Sequence, residues 1–241
     1  KNGNTPGSDM PARIDTCESF RLIYPGKDSR PALRPRIIDI HSFLRQGVEY
    51  DSDSISQTYM SLSRLGILKY SNVSFEDVPG QDNSLKANVL MVSLPKHSFS
   101  FEVEGTNTAG DLGAAASMSF TDRNLFRGSE QLTFKLRGAY ESISNLPGYS
   151  GDTYIEYGLE TNLDFPEFLA PFMSQELQRR SQATSRFSLK INAQRRPEFQ
   201  KTIFSTGWSY MWGDAWQKSH QLDVVDLNYL VVPWISDHFR S

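Results

Sequence analysis

The sequence has little of several features that define common classes of protein. It contains one cysteine, Cys17, so no disulfide can form within the chain. The net charge is only −3 and the basic residues are scattered, which leaves no electrostatic footprint for nucleic acid. No run of about 18 apolar residues occurs, so we expect no membrane-spanning helix. The chain also starts without the apolar region of a signal peptide, which we expect to have been removed or to lie outside it.

Signals for catalysis and for metal binding are equally scarce. The four histidines are far apart and form no His-x-x-x-His pair, which argues against a zinc site. No phosphate-binding loop or dinucleotide fingerprint is present. The stretch Asp51–Ser54 resembles the start of a calcium loop but lacks the later glycine and glutamate, so a helix cap explains it better. We therefore predict no enzyme activity, no cofactor and no metal site.

The first part of the chain alternates between helix and strand signals. Residues 1–16 are rich in glycine, proline, asparagine and aspartate and are expected to be irregular. Between about 17 and 95 the pattern predicts one strand, two helices and a β-hairpin. The strand carries Phe20, Leu22 and Tyr24, and the hairpin pairs residues 67–78 with residues 85–94.

Two short helices are expected between that strand and the hairpin. The first helix contains Ile37, Ile38, Phe43 and Leu44, and Gly47 would close it. The second would start with a Ser54–Gln57 capping box, and its apolar stripe would be Ile55, Tyr59, Leu62 and Leu65.

After Pro95 the chain alternates apolar and polar residues in run after run. The runs lie at residues 97–105, 132–137, 155–160, 187–192, 204–212 and 225–231. A period of two with long polar connections predicts an antiparallel meander. Gly105, Gly110, Gly113 and Gly128 are expected to serve turns and bends between the strands.

The alternation itself fits two classes of β protein equally well. A transmembrane barrel would explain the low mean hydropathy of −0.47 and the mid-strand charges on the polar faces, such as Lys135 and Glu156. It would also explain the aromatic residues near strand ends, as an interfacial girdle. These residues are Trp208, Tyr210, Trp212, Trp216, Tyr229 and Trp234. A soluble sandwich with one solvated face alternates in the same way.

Several segments of the sequence resemble those of one protein family. The stretches Leu44–Tyr50 and Leu62–Gly66, followed by Tyr70–Val73, look like a polypeptide-transport-associated (POTRA) domain. Asp122–Glu130 (DRNLFRGSE) and Leu163–Phe168 then resemble the start of the barrel in the BamA/TamA family of outer-membrane assembly factors, particularly its Bacteroidetes-type members. The resemblance covers most of residues 33–232. The chain supplies only six or seven strands, too few to close that family's barrel.

The resemblance implies a fold, a function and a location. Residues 17–95 would be an α+β POTRA domain, with its first strand incomplete or upstream, and residues 96–241 would be the first up-and-down strands of a transmembrane β-barrel. The protein would insert and assemble outer-membrane proteins, with the POTRA domain in the periplasm. Its partners would be unfolded client proteins, other assembly subunits and outer-membrane lipid.

Three groups of site residues follow from the resemblance. The first barrel strand would be one side of a lateral gate, with Phe99, Phe101 and Val103 facing lipid or client and Glu102 and Glu104 facing the lumen. An edge strand of the POTRA domain, with Leu68, Tyr70, Val73 and Phe75, would capture extended chains by backbone pairing. The family-motif turn would contain Asn124, Phe126, Arg127 and Gly128.

Two alternatives remain open at this point. A two-partner-secretion pore shares the architecture but usually carries a plug helix and two POTRA domains. A soluble β-protein could instead bind lipid or glycan on an aromatic face formed by Trp208, Tyr210 and Trp212.

Overall fold

The computed structural model describes residues 13–16, 20–24, 31–81, 83–108, 111–143, 153–169, 174–213 and 218–236. The chain divides into two compact units, unit 1 at Lys1–Ser93 and unit 2 at Leu94–Ser241. The division lies close to the boundary predicted at residue 95, where the sequence changes to period-two alternation.

The described residues of unit 1 form two antiparallel strand pairs and two helices. Its elements are β1 Arg13–Thr16, β2 Arg21–Tyr24, α1 Pro35–Ile40, α2 Ser52–Ser63, β3 Leu68–Asp77 and β4 Leu85–Ser93. The core brings Leu22 of β2 together with Ile37 of α1, Leu62 of α2 and Leu68 of β3. Val89 and Met91 of β4 pack against this core from one face of the hairpin.

The strand pairing in unit 1 differs from the prediction in two respects. Residues 13–16, predicted to be irregular, form β1 by pairing with β2, with Ile14 opposite Ile23. A four-residue strand is too short to show alternation, so β1 can be recognised only from its pairing with β2. Among the described residues β1–β2 and β3–β4 are separate two-stranded sheets, and a POTRA domain is not evident in this pairing.

The first helix is shorter than predicted. It ends at Ile40, and Phe43 and Leu44 lie beyond it. The backbone N–H of Phe43 donates instead to the Thr58 hydroxyl at 2.9 Å, which turns the chain towards α2. Gly47, predicted to close the helix, has φ +77° in a separate turn.

The second helix begins earlier than its predicted capping box. Asp51 is the N-cap, and its carboxylate accepts from the N–H groups of Asp53 and Ser54 at 3.1 and 3.0 Å. Tyr59, a member of the predicted apolar stripe, is 52% exposed. Thr58 and Ser61 are buried in its place, because Thr58 bonds to Phe43 and the Ser61 hydroxyl lies 2.8 Å from Nδ1 of His41.

Unit 2 is built on a seven-stranded up-and-down antiparallel sheet. The strands are β5 His97–Thr108, β6 Asp111–Asp122, β7 Gln131–Ser142, β8 Thr153–Phe165, β9 Thr184–Arg195, β10 Phe199–Gly213 and β11 Ser219–Ile235. Their order in the sheet is their order in sequence, with β5 and β11 at the two edges. The predicted meander is confirmed. Because six antiparallel steps separate them, β5 and β11 run in the same direction.

Two elements of unit 2 did not emerge from the alternation. Strand β6 (DLGAAASMSFTD) is rich in alanine, glycine and serine, which weakens the contrast between its two faces. Helix α3, Gln175–Ser181, lies between β8 and β9 and is capped by the Ser174 hydroxyl, which accepts from the N–H of Leu177. Gly105 and Gly113, expected in turns, lie inside β5 and β6, and Gly110 lies outside the described residues.

Candidate functional site

The sheet of unit 2 carries one continuous apolar face. Residues paired across antiparallel strands point to the same side, so the register defines rows across the sheet. One row begins with Phe99, Phe120 and Phe134. The next row contains Phe101, Met118, Leu136, Leu159, Ile191, Phe204 and Tyr229. This face is strongly exposed, since Phe99 and Val103 are 64% and 69% exposed.

An aromatic cluster lies on this face at the end where β8 stops and β9 begins. Phe165 contacts Phe187 edge-on, and Phe187 stacks on Trp208 with ring centroids 5.1 Å apart. Tyr210 continues the cluster, covered by the Phe168 ring at 4.1 Å, and its hydroxyl donates to the carbonyl of Leu169 at 2.8 Å. Three neighbouring strands therefore end in a belt of aromatic side chains.

The other predicted girdle residues are placed differently. Tyr229 is paired with Phe204 in the middle of β11 and is not at a strand end. Trp212 stacks on His220 beyond the cluster, and Trp234 lies at the opposite end of the sheet, opposite Gln200. Trp216 lies outside the described residues.

The opposite face of the sheet is polar and more enclosed. Ala115 and Ser117 of β6 are only 4% and 7% exposed on this side. Ion pairs and hydrogen bonds cross the strands here, including Lys190–Glu160 at 3.3 Å and Asn192–Glu156 at 2.6 Å. In these two pairs a carboxylate on β8 meets a lysine or an amide on β9.

The predicted gate residues lie on edge strand β5. Phe99, Phe101 and Val103 belong to the apolar face. On the polar face, Glu102 accepts from the Ser117 hydroxyl at 3.2 Å, and Glu104 pairs with Arg137 at 3.2 Å. Strand β5 pairs with β6 on one side and with no described strand on the other.

The predicted family-motif turn is a closely bonded connection between β6 and β7. The carboxylate of Glu130 accepts from the N–H groups of Phe126 and Gly128 at 3.0 and 2.8 Å. Oδ1 of Asn124 accepts from the N–H of Ser129 at 2.9 Å. Arg127 has a left-handed φ of 66°, and Phe126 is exposed at the tip of the turn.

The predicted POTRA edge residues all lie in β3. Leu68 is buried in the core of unit 1, and Tyr70 is exposed on the other face of the hairpin. Val73 and Phe75 are half-buried, and the Phe75 ring meets that of Tyr50 at 5.3 Å. Among the described residues β3 has one partner strand, β4.

Sequence reasoning did not identify several residues that shape these features. Asp122 accepts from the N–H of Asn124 at 2.9 Å and pairs with Lys96 and His97 at 3.3 Å each, which ties the start of β5 to the turn. Ser185, fully buried, donates to the carbonyl of Glu167 and accepts from the N–H of Leu169, both at 2.8 Å. In the sequence, the acidic residues at the two ends of the turn were a signal that could have indicated this role. No feature of the sequence marks Ser185.

Within the part of the chain that the structure describes, no cluster of three or more histidine, cysteine or acidic side chains could hold a metal ion. No helix among these residues is long and apolar enough to cross a membrane.

The fold and its two faces define an amphipathic meander, in which β5 and β11 each have one partner strand among the described residues. No protein-family model matches the sequence, and no curated protein matches it. Among solved structures, the chain is similar to BamA from Haemophilus ducreyi lacking POTRA domains 1–3, with 10% identity and a TM-score of 0.38. The match covers 90% of this chain and 53% of that one, so the chain spans about half its length. At that TM-score the likeness carries no weight for function.

Proposed function

We propose that unit 2 is part of the wall of an outer-membrane β-barrel and that the protein assembles other outer-membrane proteins without catalysing a reaction. The observation that carries this proposal is the continuous apolar face on a sheet whose edge strand β5 has no second partner among the described residues. Strands of 12 to 17 residues exceed the roughly 9–11 needed to cross a bilayer. The aromatic cluster at one end has the composition of an interfacial girdle.

The free edge supplies a mechanism for assembly. An extended chain cannot enter lipid with unpaired N–H and C=O groups, because each costs several kcal/mol there. Pairing with β5 would satisfy one side of an incoming strand before it leaves water. Backbone pairing depends little on side chains, which suits clients of different sequence. Unit 1 would act in the periplasm as a POTRA-like domain, and β3 would bind extended chains or partner subunits there.

Two phenylalanines on one row provide a matched test of this mechanism. Phe99 on edge strand β5 and Phe134 on interior strand β7 share the apolar face, and both pair with Phe120. A photo-cross-linking phenylalanine analogue is placed at either position in the protein in membrane vesicles, and an unfolded outer-membrane porin is added. We expect adducts with the porin from position 99 and adducts with lipid alone from position 134. Equal porin adducts from the two positions would contradict edge pairing.

Depletion in cells separates assembly from secretion. If the protein assembles membrane proteins, its depletion lowers the amounts of folded porins in the outer membrane. A secretion pore would leave porins unchanged and lower the amount of one exported protein. A water-soluble chain that needs no detergent would refute both functions.

A further inference from the structure

Gly138, in the middle of β7, has no structural reason to be glycine within the described chain. A Cβ at this position would meet nothing within 4 Å, and the backbone is not in the left-handed region. Glycine weakens a strand interior and often marks a place where a ligand approaches the backbone closely. Gly138 is opposite Ala116 and Tyr157 on the apolar face. The space above Gly138 is therefore open to a ligand.

Small residues extend this space into a groove. Ala116 on β6 lies beside Gly138 in the same row, and Tyr157 on β8, which is 65% exposed, stands between Gly138 and Ala193 as part of the groove wall. Met118, Leu136 and Ile191 form the neighbouring row. The resulting cavity has a volume of about 460 Å³ and reaches from Phe101 on β5 to Ala193. All the side chains that line it from this face are apolar, apart from Tyr157.

The dimensions of the groove restrict its occupant. Rows on one face of a strand are two residues, or about 6.7 Å, apart. An α-helix of about 10–12 Å diameter is too wide for such a groove, and so is a packed sheet. From β5 to β9 the groove crosses four strand spacings, or about 19 Å. A single extended hydrocarbon chain matches both its width and its length.

A cation lies at one end of the groove. A second, smaller cavity shares Tyr157 and Ala193 with it and is lined by Arg195 and Gln200. Arg195 is exposed on the same face, and its side chain makes no hydrogen bond or ion pair with the described residues. Its neighbour Arg196 instead lies over the Tyr154 ring at 4.7 Å. An unpaired guanidinium beside an apolar groove complements an anionic group attached to an alkyl chain.

We propose that this groove binds one acyl chain of an anionic membrane phospholipid, whose phosphate pairs with Arg195. The proposal rests on the proposed function, because it requires the apolar face to lie in a bilayer. It adds a defined lipid site to a surface that would otherwise contact bulk lipid only. A lipid bound at this site would fix the orientation in the bilayer of the part of the sheet next to edge strand β5, since the groove ends at Phe101 on β5.

Filling the groove tests the acyl-chain part of the proposal. The full chain is purified in detergent micelles doped with phosphatidylglycerol, and lipid retention is measured by native mass spectrometry. Gly138→Leu and, separately, Ala116→Leu should lower retention of one lipid about tenfold or more, since several methylene contacts are lost. Gly105→Leu is the matched control. It adds the same side chain to the same face at a position that is also open but does not line the cavity, and retention should be unchanged.

The phosphate contact has its own pair of variants. Arg195→Gln should lower retention of phosphatidylglycerol and leave retention of uncharged diacylglycerol unchanged. Arg196→Gln should alter neither. Retention that falls equally with both arginine variants would refute the assignment of the phosphate to Arg195.

The outcomes separate this proposal from the proposed function. If wild type retains lipid and both groove-filling variants retain it equally well, the apolar face contacts lipid without a defined site and the inference is wrong. If the chain needs no detergent and retains no lipid in any form, the membrane function itself fails, and the inference fails with it.

Discussion

Leu62 illustrates, at the scale of one residue, how the core of unit 1 is held. Its side chain is 1% exposed and belongs to a buried cluster that also contains residues of both strand pairs and of α1. Leu62→Ala should reduce the free energy of unfolding by roughly 2–5 kcal/mol, since it removes transfer energy and leaves a cavity. Denaturant unfolding followed by circular dichroism measures this loss. Tyr59→Ala, on the exposed side of the same helix, should stay within about 0.5 kcal/mol of wild type. A similar loss for both variants would contradict the assigned core.

Asp51 makes the stability of α2 depend on pH. Its pKa lies below the ordinary 3.8, first because the Ser54 hydroxyl donates to the carboxylate and then because two backbone N–H groups do. A carboxyl pKa lowered by folding contributes stability that is present above the unfolded pKa and is lost as pH falls through the folded pKa. We therefore expect the denaturant concentration at the unfolding midpoint of unit 1 to decrease once the pH is lowered below about 4, where aspartate titrates.

Asp51→Asn provides the comparison for this pH dependence. The single amide oxygen can accept one of the two backbone hydrogen bonds, which the carboxylate divides between Oδ1 and Oδ2, and the amide does not titrate. The variant should show a smaller decrease in the midpoint denaturant concentration between about pH 5 and pH 2, which is roughly the range of carboxyl titration. Identical pH profiles for the two proteins would show that the Asp51 cap has no part in the acid sensitivity.

Gly113 shows that a single residue can also be fixed by its neighbours on the next strands. A Cβ there would lie 2.5 Å from Oγ1 of Thr106 and 2.8 Å from the backbone oxygen of Tyr140. Gly113→Ala should therefore destabilise the sheet by roughly 1–3 kcal/mol, as overpacking does. Gly138→Ala, at an open position, should be neutral. Urea titration of the protein in detergent, followed by tryptophan fluorescence, compares them, and equal effects would contradict the close approach at β6.

At the scale of an element, the carboxylate of Glu130 helps to stabilise the connection between β6 and β7. Glu130 is buried and accepts two backbone N–H bonds. Glu130→Ala should cost roughly 1.5–3 kcal/mol, the range for hydrogen bonds to a charged group. Phe126→Ala, at the exposed tip, should cost less than about 0.5 kcal/mol. Heat-induced unfolding of the sheet in detergent measures both, and a larger loss at Phe126 would mean that the tip stabilises the turn.

At the same scale, the elements differ in how well they could be predicted. Alternation predicted β5, β7, β8, β9, β10 and β11, because a strand with one apolar and one polar face displays its period directly. It missed β6, whose small side chains differ little between the faces. The capping box of α2 was placed three residues late, because Ser54 and Gln57 fit the pattern while Asp51 makes the bonds.

At the scale of the whole molecule, the two faces of the sheet should respond oppositely to charge. Leu136 lies centrally on the apolar face, and Ser119 lies on the polar face beside Lys135. In a bilayer, Leu136→Arg should destabilise folding by roughly 2–4 kcal/mol, the cost of a midplane arginine facing lipid. Ser119→Glu, which places a carboxylate opposite Lys135, should cost little. Reversible folding into lipid vesicles measures both variants, and equal tolerance would indicate that the apolar face does not meet lipid.

The sequence by itself determined the meander, the composition of its faces and the change to period-two alternation near residue 95, because these depend on periodicity along the chain. Only the tertiary structure decided which rows those residues form, since a row needs the register between strands. That register aligned Ala116, Gly138, Tyr157 and Ala193, which are 77 residues apart at their extremes by number, along one groove. It also decided that β1 pairs with β2 and that β5 and β11 are left at the edges. Strand pairing joins residues that are distant in the sequence, so the local sequence pattern does not determine which strands pair.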